Sequence, residues 1–94
     1  MLLIARALLT DPKVIVMDEP SLGLSPLMTR QVVKNVIPQL SERGIGVLLI
    51  EQNARLALSV ADRGMVLERG RVVLEGSSSE LMESDLMRAS YLGL

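Results

Sequence analysis

Cysteine and histidine are both absent from this chain of 94 residues. Their absence removes disulfides, thiolate metal sites, histidine-based catalytic triads and zinc clusters in one step. Phenylalanine and tryptophan are absent too, and Tyr91 is the sole aromatic residue. The core must therefore be made of Leu, Ile, Val, Met and Ala. No excess of one charge is present: 10 Lys and Arg stand against 11 Asp and Glu, for a net charge of −1. With acids and bases interspersed, no basic patch recommends nucleic acid, and single-stranded binding would also lack aromatics to stack on. Long apolar runs are missing as well. The opening M-L-L-I-A-R-A-L-L is split by Arg6 and followed at once by Asp11-Pro12, which does not suit a signal sequence. No other run approaches the roughly 20 residues needed to cross a bilayer.

What is present is a small apolar chain, 49% hydrophobic, long enough for one small domain at most. A domain of this length buries roughly 60–65% of its unfolded surface, so its stability is marginal. Its organising stretch is Lys13 to Pro20, K-V-I-V-M-D-E-P. A short unbroken apolar run reads as a parallel strand buried on both faces. Pro20 stops it. Asp18 and Glu19 then fall at the carboxyl end of the strand, the edge where open α/β sheets bind ligands. A buried carboxylate there needs a cation, a donor or water. Side chains alternate along a strand, so the two acids set out in opposite directions. They suit different tasks: Asp18 near a metal, Glu19 towards an attacking water. The plainer alternative is a capping or salt-bridged acidic pair.

Along the rest of the chain, Ala and Leu favour a helix over residues 1–10, ended by Asp11-Pro12. A strand follows at 14–18, then a loop, S-L-G-L-S, at 21–25. Ser25 and Pro26 are a strong helix start. The helix expected over 26–43 sets Val33, Val36, Ile37 and Leu40 on one face, with Gly44 as its C-cap. Pro38 inside it should cost a hydrogen bond and kink the helix. A second buried strand, Gly46 to Ile50, ends in Glu51 and completes a βαβ unit. Asn53 caps a helix running to about Ala61. Met65–Glu68 and Arg71–Glu75 read as a hairpin turning at Arg69-Gly70. Ser77 and Glu80 have capping-box spacing, and a last short helix covers Asp85 to Tyr91. Arg55, Arg63, Arg69 and Arg71 read as solvated faces, and Tyr91 as packing for the tail.

These residues spell a resemblance. A-R-A-L before an apolar strand, then D-E-P, then a second apolar strand followed by a polar residue at position 52, resembles the ATP-binding subunit of ABC transporters. D-E-P-S-L-G-L-S-P, E-Q-N-A-R, A-D-R-G-x-V-L-E and the closing Y-L-G resemble one subgroup in particular, the second ATP-binding subunit of branched-chain amino acid importers. The resemblance covers residues 1–94 and implies a partial domain. The fold is α/β, the C-terminal part of a P-loop NTPase domain, with parallel strands and flanking helices, a C-terminal β-hairpin and short helices. It implies that Asp18 is the Walker B aspartate, holding Mg²⁺ directly or through water, and that Glu19 polarises the attacking water. Gln52 falls on the switch position that contacts the γ-phosphate. Ser21 and Gly23 fall in the D-loop, at the interface of the ATP-bound dimer, as nucleotide-binding positions. Two departures stand out: Leu24 where most of the family has Asp, and Gln52 where most has His. Glutamine still donates a hydrogen bond to a phosphate oxygen but carries no positive charge.

The resemblance further implies a homologous second ATP-binding subunit and membrane permease subunits as partners. It implies a cytoplasmic position at the inner face of the plasma membrane, and no nucleic acid. The related motor of lipopolysaccharide export is the alternative within the class; a non-catalytic assembly module or remnant is the alternative outside it. No G-x-x-x-x-G-K-[ST] occurs, so the loop that cradles phosphates is absent, as is the L-S-G-G-Q-type signature. ATP and Mg²⁺ are therefore expected only together with the N-terminal half of such a domain, and this chain alone is expected to be inactive. A truncated gene, a contig end or a misplaced start codon is the expected origin.

Overall fold

The computed structural model describes residues 10–19 and 23–93. The helix expected over 1–10 lies outside the described residues except for Thr10, and so do Pro20, Ser21 and Leu22. The chain divides into two compact units, Met1–Gln52 and Asn53–Leu94.

In the first unit, β1 (Val14–Asp18) and β2 (Gly46–Ile50) pair in parallel. A helical stretch joins them: α1 (Pro26–Gln31), a π-helical segment (Val32–Val36) and α2 (Ile37–Glu42). Parallel pairing requires a long crossover, and the S-P start and Gly44 stop delimit it. Ser25 accepts a hydrogen bond from Met28 N–H at 3.2 Å, with Pro26 next in the chain. At the other end Gly44 has φ +78°, its N–H donates to Ser41 O, and Ile45 N–H donates to Leu40 O. That is a Schellman motif, which a residue with a Cβ enters only under strain.

The expected helix over 26–43 forms, and the structure shows how it tolerates Pro38. A proline ring clashes with the carbonyl four residues back, here Lys34, and offers it no donor. The helix widens to π geometry over Val32–Val36, the turn that holds that carbonyl, and returns to α geometry at Ile37. Widening the ladder is a standard way to absorb such a lost bond.

One expectation needs correcting. β1 was expected to be buried on both faces, but its burial alternates. Ile15 and Met17 are buried, while Val14 and Val16 are 61% and 59% exposed. In β2, Leu48 and Ile50 are likewise 56% and 45% exposed. The buried side chains of the helical stretch are Thr29, Val32, Val33, Ile37 and Leu40. A helix covers one face of a sheet, and the described residues provide no second layer for the other.

The second unit contains α3 (Ala54–Leu58), β3 (Arg63–Glu68), β4 (Arg71–Ser77), α4 (Ser78–Glu83) and α5 (Asp85–Ser90). Asn53 caps α3, accepting from Leu56 N–H at 3.1 Å. This helix ends three residues earlier than expected, and the chain continues to Ala61 in turns. The hairpin is longer than expected at both open ends, with Arg63 paired to Ser77. Val73 is an extra residue between the pairs Val66–Leu74 and Leu67–Val72, a bulge. At the tip, Arg69 and Gly70 have φ +51° and +77°, the signature of a type I′ turn. Ser77 caps α4: its hydroxyl accepts from Glu80 N–H and donates to Glu80 Oε1, so the Glu80 carboxylate meets the capping hydroxyl in place of the backbone N–H that a capping box would use. Leu58, Leu81, Met87 and Leu92 form the core, with Tyr91 packed against it. Arg55, read as part of a solvated face, is exposed and also donates to Leu92 O at 3.1 Å, tying α3 to the tail.

Candidate functional site

Register decides what meets at the carboxyl edge of the first unit. Val14 pairs with Gly46 and the ladder runs unbroken to Asp18 and Ile50. Glu19 N–H then donates to Ile50 O at 2.7 Å. Both strands therefore end level. Asp18 and Glu19 leave the sheet beside Glu51 and Gln52, the pairs that follow the two apolar runs.

The four side chains differ in setting. Asp18 and Gln52 are exposed, whereas Glu19 and Glu51 are half-buried. Partners across a parallel ladder share a face, so Asp18 lies on the side of Val14, Val16, Leu48 and Ile50. Glu19 would fall on the helix side if the strand simply continued. It does not: Glu19 has φ +49°. A non-glycine residue there stores on the order of 1–3 kcal/mol of strain, a pattern common at functional sites. Sequence reasoning missed this conformation. Glu19 precedes Pro20, a position biased towards extended backbone, so the local signal pointed the other way.

Of the remaining expected site residues, Gly23 is exposed, has φ +78° and would meet nothing within 4 Å if given a Cβ. Backbone conformation, not crowding, explains glycine there. Ser21 lies outside the described residues. Among those residues no group of three or more Asp or Glu could cage a metal. Mg²⁺ does not require one: it keeps several waters and takes one or two carboxylates along with substrate phosphates, at about 2.1 Å. An exposed Asp18 at a strand end fits that donor set, and a site closed by protein alone does not. The concavity lined by Asp11, Pro12, Lys13, Arg43, Gly44 and Ile45 lies at the opposite, amino edge of the strands. Among the described residues no helix is long and apolar enough to cross a membrane.

No family model matches the chain. Among curated proteins, it is 46% identical over 93 residues to the high-affinity branched-chain amino acid transport ATP-binding protein BraG of Pseudomonas aeruginosa, covering 99% of this chain and 40% of that protein. It is 38% identical to the lipopolysaccharide export system ATP-binding protein LptB of Acidithiobacillus ferridurans, covering 96% and 37%. The chain thus spans about two fifths of the length of these relatives. Among solved structures it superposes on cbiO1 of Clostridium perfringens, part of the ABC transporter complex cbiONQ. That match has a TM-score of 0.76 and 30% identity, over 97% of this chain and 37% of that one. An ATP-binding cassette in its ADP conformation matches with a TM-score of 0.75 and 32% identity. The fold is that of the C-terminal part of an ABC ATPase domain, a P-loop NTPase.

Proposed function

We propose, from the premise that its homologues are ATP-binding proteins of ABC transporters, that this sequence supplies the carboxylate-bearing part of an ATPase driving uptake of branched-chain amino acids. The observation that carries the reading is the level ending of β1 and β2. It gathers three acids, Asp18, Glu19 and Glu51, and a neutral hydrogen-bond donor, Gln52, at one sheet edge.

Three of these side chains have a task. Asp18 would hold Mg²⁺, with water and phosphate oxygens completing its coordination; the ion neutralises charge on the phosphates when bound. Glu19 orients the attacking water and accepts its proton. The left-handed turn sets the direction of its carboxylate independently of the strand's alternation. Gln52 donates a hydrogen bond towards the terminal phosphate. Ser21 and Gly23 belong to a loop that faces the second ATP-binding subunit. Permease subunits would be the membrane partners, with the ATPase on the cytoplasmic side. Branched-chain amino acids are preferred over lipopolysaccharide as cargo because the S-L-G-L-S loop and Gln52 fit that subgroup. Identity is also higher to the amino acid relative, 46% against 38%.

The test is Glu19→Gln in a transporter whose ATP-binding subunit contains this sequence. ATP binding should persist while steady turnover falls roughly 100-fold or more, the usual scale for losing a general base. Undiminished turnover removes Glu19 from that task.

A further inference from the structure

We infer that the concavity at the amino edge of β1 and β2 is a binding site for a free amino acid with an aliphatic side chain, held as its zwitterion. Six residues line it: Asp11, Pro12 and Lys13 on the approach to β1, and Arg43, Gly44 and Ile45 between α2 and β2. Its volume is about 310 Å³, at the small end of the range of roughly 300–1,000 Å³ usual for small-molecule sites. The two lining segments are fixed side by side. Gly46 N–H donates to Lys13 O at 2.9 Å, and Ile45 N–H donates to Leu40 O at 3.1 Å. The site is thus built by the entries of two paired strands and the end of the helical stretch between them.

Charge selects the ligand. The lining carries one carboxylate, Asp11, and two cations, Lys13 and Arg43, all three exposed. None of the three side chains is joined to another by a hydrogen bond or ion pair among the described residues. Opposite charges that share a concavity without closing on each other stay open to a ligand. A simple anion is repelled there by Asp11, and a simple cation by Lys13 and Arg43. A zwitterion meets both. Its carboxylate accepts from the Lys13 ammonium and from the Arg43 guanidinium, whose fork matches a carboxylate, and its ammonium donates to Asp11. Pro12 and Ile45, both half-buried, supply the apolar wall. The six lining residues include no aromatic or amide side chain, which favours an aliphatic ligand side chain over a polar one. Asp11 also has φ +52°, although it precedes Pro12, where the backbone is biased towards extended. Conformations of this kind gather at ligand sites. The site lies at the edge away from Asp18, Glu19 and Gln52 and does not rest on the proposed function.

The experiment is a nuclear magnetic resonance titration of the 94-residue chain, read at the backbone amides of Lys13, Gly44 and Ile45. Four probes are compared, without nucleotide: leucine, isocaproate, which lacks the ammonium, isopentylamine, which lacks the carboxylate, and glycine, which lacks the side chain. Leucine should give saturable shifts at those amides. It should bind about tenfold or more tightly than each of the other three, the scale of one lost charge-assisted contact. Asp11→Asn should make isocaproate bind as tightly as leucine, and Lys13→Gln with Arg43→Gln should do the same for isopentylamine. These variants change exposed side chains, and the comparison of probes on the unmodified chain needs no variant to fold. Equal binding of leucine and isocaproate to the unmodified chain would mean a site for anions alone and would overturn the inference. Equal binding of leucine and isopentylamine, or of leucine and glycine, would overturn it as well. So would an unaltered preference for leucine in Asp11→Asn, shifts confined to residues away from the concavity, or no saturable shift at millimolar leucine.

Discussion

Tyr91 is the residue whose chemistry can be read in isolation, because no other tyrosine or tryptophan is present. Its hydroxyl donates to Glu68 Oε1. That bond, with some burial and the negative charge of Glu68, pushes the phenol above its ordinary value of 10.0. The sign follows from which form the fold prefers. Folding favours the neutral phenol, so its contribution is complete below pH 10 and is lost as pH rises through the raised value. An ultraviolet titration should give a midpoint above 10.0, and Glu68→Ala should return it towards that value. A midpoint at or below the ordinary value in the folded protein would refute the bond. Arg69 is a second separable case. It sits at φ +51° in a two-residue turn, where a side chain other than Asn or Asp is disfavoured. Arg69→Asn is expected to stabilise the second unit by about 1 kcal/mol, seen as a raised Tm. A lowered Tm would mean that the arginine makes a compensating contact.

At the scale of elements, the hairpin and the two helices behind it are held together by a residue with no side chain. A Cβ on Gly64 would lie 2.8 Å from Leu81 Cδ1 and 3.0 Å from Leu58 Cδ2. Both leucines belong to the core, so neither moves freely. Gly64→Ala should destabilise the unit by roughly 1–3 kcal/mol, the usual cost of overpacking, measurable by urea denaturation. An unchanged midpoint would show the core to be looser than its packing. The element boundaries were largely legible beforehand. Ser25-Pro26, Asn53 and Ser77 with Glu80 each cap where their chemistry says they should, because capping depends on three or four consecutive residues. The π segment was not legible. Pro38 announces that a hydrogen bond is lost but not how the helix absorbs the loss, and a kink or a widened turn would satisfy the same sequence. The left-handed Glu19 was hidden for a related reason, since its neighbour Pro20 argues for extended backbone.

For the molecule as a whole, the gap between pattern and structure lies in burial. V-I-V-M and V-L-L-I are written for a strand with a layer on each side, and local sequence cannot reveal that the described residues supply only one layer. The level strand ends were readable, because each apolar run stops at an acid followed by a polar or turn-forming residue. Activity depends on more than this edge under the proposed function. Phosphoryl transfer relies on positioning and charge stabilisation from several parts of a domain, and Asp18 with Glu19 would be only one of them. Isothermal titration of the purified chain with Mg²⁺–ATP should show no binding in the micromolar range. Micromolar affinity would mean that these residues hold the nucleotide without a phosphate loop. The bare row of Val14, Val16, Leu48 and Ile50 has a consequence in the cell as well. Such surface is what chaperones grip and what drives clumping at ordinary expression levels. Made without a companion, the polypeptide should be short-lived or recovered from inclusion bodies, and its abundance should follow the supply of whatever shields that row.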